Sequence, residues 1–177
     1  PLADGIVDTF QNEGLCIFGP DAYGAQLESS KLFARDLMAE YNIPHPDYYS
    51  CSTRDEAESL KAILELPLVL KADGLAAGKG VIICENDKEF KKGLGIMFDS
   101  STFGDASSRI SLERCLIGEE LSVFAVCDGK DYKILSSAQD HKRAYDGDKG
   151  PNTGGMGAYS PTPLSTPNLL DRLGMEI

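Results

Sequence analysis

The chain lacks any long apolar run. Its uninterrupted apolar stretches reach only about five residues, as around Val81 to Cys84, whereas a membrane-crossing helix needs roughly 20. A bilayer span is therefore not expected. Histidine is scarce: His45 and His141 are the only two, and neither has a companion at metal-ligand spacing, which argues against a structural zinc site. The five cysteines (Cys16, Cys51, Cys84, Cys115, Cys127) are odd in number and form no Cys-x-x-Cys pair. They read as small hydrophobes in strand-like runs of a protein kept in a reducing cytoplasm, not as a disulfide framework. Basic residues are also short: 17 Lys and Arg against 28 Asp and Glu leave a net charge of −11, which opposes a nucleic-acid partner. No basic, apolar leader opens the chain, and Pro1 stands where Met would, so a piece of something longer is expected. What is present is a globular composition, 42% apolar and 25% charged over 177 residues, enough for one ordinary domain or two small ones.

Local patterning alternates helix and strand, which predicts an α/β fold. Leu2, Ile6, Val7 and Phe10 are helix-spaced; Gly14 stops that helix before a strand-like Leu15 to Phe18. A second helix is predicted from about Ala25 to Tyr41, with a stripe at Leu27, Ala34, Leu37, Met38 and Tyr41. Lys31 intrudes on that stripe. One account is a stem that packs while the ammonium reaches solvent; the other is an inward lysine awaiting an anion. Tyr48 to Cys51 reads as a short strand, and Thr53 with Glu56 as a capping box opening a helix with Ala57, Leu60, Ile63 and Leu64 inward. Strands are predicted at Pro67 to Ala72, Val81 to Cys84 and Ile110 to Leu116. A helix from Asn86 or Asp87 runs to about Phe98, and a hairpin turns at Asp128-Gly129. From Asp140 to Pro163, five glycines and three prolines without hydrophobic period predict a long irregular segment, more consistent with a functional loop than with a linker.

The glycine-rich stretch Asp73 to Gly80 invites a phosphate-loop reading, yet it fails both standard forms. It has one residue too few between Gly74 and Gly78 for a Walker loop, no Ser or Thr after Lys79, and a strand rather than a helix follows. What remains is a hairpin loop able to fold over a triphosphate, with backbone amides and Lys79 meeting oxygens, and Lys71 on the strand before it. A plain glycine-rich hairpin is the alternative. Past Glu113, a strand leading through Gly118 into Glu119 and Glu120 forms a hinge. Its edge can offer backbone groups to an adenine, and Glu120 could meet sugar hydroxyls; a solvated acidic turn is the other account.

Lys31 in Ser30-Lys31, Lys71 before the loop, and Glu113 to Leu116 followed by Glu120 resemble the nucleotide site of the ATP-grasp ligases. Four segments in order, GPDAYGAQLESSK (Gly19 to Lys31), DGLAAGKG (Asp73 to Gly80), GEELS (Gly118 to Ser122) and AQDHKRAYDGDKGPNTGGMGAYSP (Ala138 to Pro161), narrow the resemblance to the phosphoribosylamine-glycine ligase family. That resemblance implies an ATP-grasp fold, α/β with an α+β lid, and a fragment divided into the end of an N-terminal α/β domain (1–20), a nucleotide-binding subdomain (21–116) and the first part of a catalytic subdomain (117–177). It also implies ATP-dependent joining of glycine to 5-phosphoribosylamine in purine biosynthesis. Lys31, Lys71, Gly74, Gly78, Lys79, Gly80, Glu113, Leu116 and Glu120 would bind ATP. His141, Lys142, Arg143 and Asp146 would act on the phosphoribosylamine side, with Pro151, Asn152, Thr153, Gly154, Gly155, Met156 and Gly157 binding that substrate. Magnesium would be needed, but in the family its Glu and Asn ligands lie beyond the position of Ile177, so no metal ligand is expected in this chain. Oligomeric state is left open, a monomer included. A non-catalytic ATP-binding module is the competing reading.

Overall fold

The structure, a computed structural model, describes residues 1–76, 80–99, 103–147 and 149–176. It divides into two compact units, Pro1–Leu116 and Ile117–Ile177. The first begins with α1 (Ile6–Asn12), entered at Gly5 with φ 77° and ended as expected at Gly14 with φ 69°. Leu15 to Phe18 is not a strand. Leu15 and Phe18 are exposed, and no described strand lies alongside to complete a ladder.

The helix predicted from Ala25 to Tyr41 is two helices, α2 (Gln26–Ser29) and α3 (Lys31–Glu40). Ser30 breaks them: its backbone is extended, and its hydroxyl accepts from the Phe33 amide at 3.1 Å. The predicted stripe shifts accordingly, with Leu32 buried while Leu27 and Tyr41 lie exposed. Lys31 becomes the first residue of α3 and is half-buried.

The centre of this unit is a four-stranded antiparallel sheet of order β1-β4-β2-β3, built from β1 (Tyr48–Cys51), β2 (Leu68–Ala72), β3 (Val81–Cys84) and β4 (Ile110–Arg114). One face is apolar because strand residues alternate sides. Leu68, Leu70 and Ala72 of β2 and Ile110 and Leu112 of β4 meet α4 (Arg54–Leu64) and α5 (Asp87–Leu94) there, around the fully buried Phe90. The Thr53 capping box forms as predicted; Ile63 instead points to solvent. Asn86 caps α5, which ends at Leu94 and passes into a π-helical turn, Gly95–Asp99. Two of the five cysteines, Cys51 and Cys84, are buried as expected, but Cys16 and Cys127 are exposed.

The second unit contains the predicted hairpin, β5 (Ala125–Cys127) with β6 (Tyr132–Ile134), extended by a bridge between Ser122 and Ala138. Residues 119–121 form no strand. The segment expected to be irregular is largely an antiparallel pair, β7 (Gln139–Tyr145) with β8 (Lys149–Tyr159). Register shifts between His141 and Arg143 and between Arg143 and Tyr145 interrupt it. Most of its residues whose burial is described are exposed, so backbone pairing holds it and no apolar alternation announces it. The unit ends in α6 (Pro167–Glu176), tied to β6 by the Tyr132 hydroxyl donating to the Gly174 carbonyl at 2.9 Å.

Candidate functional site

The sheet face opposite α4 and α5 is polar. Alternation puts Val69 and Lys71 of β2 and Ser111 and Glu113 of β4 on this side, with Lys71 paired to Ser111 and Val69 to Glu113 in register. The Glu113 side chain is 1% exposed and ionic. Arg35, from the face of α3 turned toward the sheet, donates to both carboxylate oxygens, Nε to Oε1 at 3.2 Å and Nη2 to Oε2 at 2.9 Å. Lys71 Nζ donates to Oε2 at 2.7 Å, and the Ser111 hydroxyl to Oε1 at 3.0 Å. Burial alone pushes the Glu113 carboxyl up, but Arg35 and Lys71 together outweigh it and hold the group below the ordinary carboxylate value.

A second knot fixes the base of the glycine-rich loop. The Asp73 carboxylate accepts from the Ser30 hydroxyl at 2.8 Å and the Leu32 amide at 2.9 Å, and on its other oxygen from Arg109 at 2.7 and 3.1 Å. Asp73 thus grips the residues either side of Lys31 and ties the first turn of α3 to the end of β2. Lys31 itself has no ion-pair partner among the described residues. The described glycines of the loop serve close packing. A Cβ on Gly74 would stand 2.7 Å from Ala106 Cβ, and one on Gly80 would stand 2.6 Å from Ala76 Cβ. The hairpin closes through the Ala72 amide donating to the Gly80 carbonyl at 2.9 Å. Gly78 and Lys79 lie outside the described residues.

Glu113 sits within the ladder, flanked by β1 and β2, whereas Leu116 lies two residues past the end of β4 and is exposed. Among the described residues, no partner engages the Leu116 amide.

In the second unit, Lys142 links two acidic residues, at 3.0 Å from Glu120 and 3.5 Å from Asp140. The hydrogen bond that Lys142 donates to the Glu120 carboxylate is the main reason its ammonium is held above its ordinary value. Thr153 donates to the Lys142 carbonyl at 3.0 Å and accepts from the Gly155 amide at 3.1 Å, and Arg143 donates to the Gly150 carbonyl at 2.8 Å. His141 stacks on Tyr159 with centroids 5.8 Å apart. Asp146 and Gly154, Met156 and Gly157 are exposed along the same hairpin, and Pro151 and Asn152 belong to β8. Among the described residues no three His, Cys, Asp or Glu side chains converge as a metal site would require.

Residues 29–177 match the family described as phosphoribosylglycinamide synthetase, ATP-grasp (A) domain. The chain belongs to this family. Phosphoribosylamine-glycine ligase of Ralstonia nicotianae is 49% identical over all 177 residues, and a bifunctional purine biosynthetic protein of Schizosaccharomyces pombe is 48% identical over the same length. The chain spans 42% of the first relative and 22% of the second. Among solved structures, the phosphoribosylamine-glycine ligase of Thermotoga maritima superposes with a TM-score of 0.77 at 36% identity, over 88% of this chain and 40% of that one. The fold likeness reaches further: an N5-carboxyaminoimidazole ribonucleotide synthetase from Thermus thermophilus gives a TM-score of 0.67 at 16% identity, over 96% of this chain and 41% of the other.

Within this ATP-grasp domain, sequence reasoning named Lys71 and Glu113 separately but missed that they touch; it named Asp73 only as the start of the glycine-rich stretch and gave no role to Arg35, Ser111 or Arg109. Some signals were available. Lys31 and Arg35 are spaced i, i+4, so they share one helix face, and Ser111 and Glu113 are spaced i, i+2, so they share one strand face. Nothing local marks Arg109, whose partner lies 36 residues away.

Proposed function

We propose that this chain is the nucleotide-binding part, with the start of the catalytic part, of a phosphoribosylamine-glycine ligase acting in purine biosynthesis. What carries the reading is 49% identity to such a ligase across every residue of the chain. The division we propose is the end of an N-terminal α/β domain at 1–20, a nucleotide-binding subdomain at 21–116 and the first catalytic segment at 117–177.

In this reading a glycine carboxylate oxygen attacks the γ-phosphorus of ATP, the bond to the β-phosphate oxygen breaks, and ADP leaves. The amine of 5-phosphoribosylamine then attacks the acyl phosphate carbon, loses a proton, and inorganic phosphate departs, leaving glycinamide ribonucleotide. The protein's task is positioning and charge neutralisation. Lys31 and Lys71 are assigned to the phosphates, and Gly74, Gly78, Lys79 and Gly80 to the loop over them. The unengaged Leu116 amide supports an adenine contact near Glu113, and Glu120 is assigned to the ribose. His141, Lys142, Arg143, Asp146 and the 151–157 stretch are assigned to phosphoribosylamine and its phosphate. Magnesium would neutralise phosphate charge when bound, and the described residues offer no ligand set for it. A reducing cytoplasm is the proposed setting, in keeping with five free cysteines.

The test is a ligase of the relatives' length carrying this segment, supplied with ATP, magnesium, glycine and 5-phosphoribosylamine. Phosphate release that requires both glycine and phosphoribosylamine, with glycinamide ribonucleotide as product, is expected. ATP binding without turnover would replace the ligase with a non-catalytic module.

A further inference from the structure

The Glu113 cluster carries more positive charge than its carboxylate needs. One carboxylate faces two cations, and Arg35 alone already engages both oxygens, with Ser111 supplying a third donor. A carboxylate offers about four lone-pair sites, so three are filled before Lys71 is counted. Lys71 spends one of its three N–H donors on Oε2, and its side chain is 22% exposed, against 18% for Arg35 and 1% for Glu113. Lys71 is therefore the member of the cluster that can turn to another anion without stranding a buried charge. Without Arg35 this freedom would vanish, because Lys71 would be the sole counter-ion of a buried carboxylate, and drawing it away would leave that carboxylate unpaired.

We infer that Arg35 is a positioning residue for nucleotide phosphate. By holding Glu113, it keeps Lys71 as a surplus cation for a phosphate of ATP or ADP, although Arg35 itself need not touch the ligand. The inference rests on the proposed role of Lys71 in nucleotide binding. A purely structural role, in which Arg35 only fastens α3 to β4, makes different predictions.

Magnesium-ADP dissociation constants, measured by calorimetry on the ligase of the relatives' length, separate the two, with folding followed by circular dichroism. Arg35→Met is expected to weaken binding about tenfold or more, and Arg35→Lys to restore it to within about threefold. In a Lys71→Met background, Arg35→Met should cost almost nothing further, since its effect passes through Lys71. Adding Glu113→Gln to Arg35→Met removes the competing carboxylate and should recover most of the affinity. Arg35→Met binding within twofold of wild type, or a double variant with Glu113→Gln as weak as Arg35→Met alone, overturns the inference. Should Arg35→Met not fold, Arg35→Met/Glu113→Gln, which strands no buried charge, carries the test: near wild-type binding supports it, and tenfold weaker binding overturns it. If Lys71→Met leaves ADP binding unchanged, the nucleotide role of Lys71 falls, and the inference with it. Weakening by Lys71→Met without weakening by Arg35→Met removes the inference alone.

Discussion

At the scale of single residues, Glu113 is the most deeply buried ion-paired side chain among the described residues, at 1% exposure against 5% for Asp73. Its carboxyl is held below the ordinary value, with burial opposing and the two cations prevailing. A depressed folded value means the stabilisation is present above the unfolded carboxylate range and is lost as pH falls through the folded value. Urea midpoints measured from neutral pH downward should therefore drop on acidification, and Glu113→Gln should flatten the lower part of that curve; an unchanged slope would remove Glu113 as a contributor. Replacing Glu113 by Leu leaves two partly buried cations unpaired and should cost about 3 kcal/mol. The cysteines make a second test. Burial, then nearby Glu56 or Glu89, pushes the Cys51 and Cys84 thiols up to about 11. Both should resist alkylation in the native protein at pH 8, while the exposed Cys16 and Cys127 react. Mass spectrometry after brief labelling reads this directly.

At the scale of elements, the break at Ser30 shows how local and long-range bonds combine. Its hydroxyl caps α3 through the Phe33 amide and also donates to Asp73, 43 residues away. Asp73→Ala is expected to loosen the first turn of α3 and the root of the glycine-rich loop together, so hydrogen exchange should accelerate at Leu32 and Ala72 in parallel. Faster exchange at only one of them would mean that the two elements are not coupled through Asp73. Gly74 offers a packing test. A Cβ there would stand 2.7 Å from Ala106 Cβ, so Gly74→Ala should destabilise by about 1–3 kcal/mol, and adding Ala106→Gly should recover part of the loss. The Thr53 capping box, the Asn86 cap, the β2–β3 hairpin and the Asp128-Gly129 turn were legible because their signals are local: a side chain three residues from its partner, or a turn that only a few residue types permit. The β7–β8 pair was not legible, because an exposed, glycine-rich, bulged ladder buries no alternating face.

At the scale of the whole molecule, the chain spans 42% of the Ralstonia ligase and shows no converging metal ligands among its described residues. By itself it should show phosphate release at least about 100-fold below that of a ligase of the relatives' length, since metal neutralisation contributes several kcal/mol to phosphoryl transfer. Turnover within tenfold would place a complete phosphoryl-transfer site inside these 177 residues. The amino-acid sequence alone determined the family, through four ordered motifs, and the alternation of helices and strands. It also determined that Lys71 lies near the end of the strand that precedes a glycine-rich loop. These are properties of neighbours along the chain. Only the tertiary structure decided that Glu113 is a buried anion bridged by Arg35 and Lys71, with partners 78 and 42 residues away, and that Asp73 clamps the residues around Lys31. Such contacts depend on which strands become neighbours in the order β1-β4-β2-β3 and on which face α3 covers. Periodicity assigns a residue to a face but does not say what lies across from it.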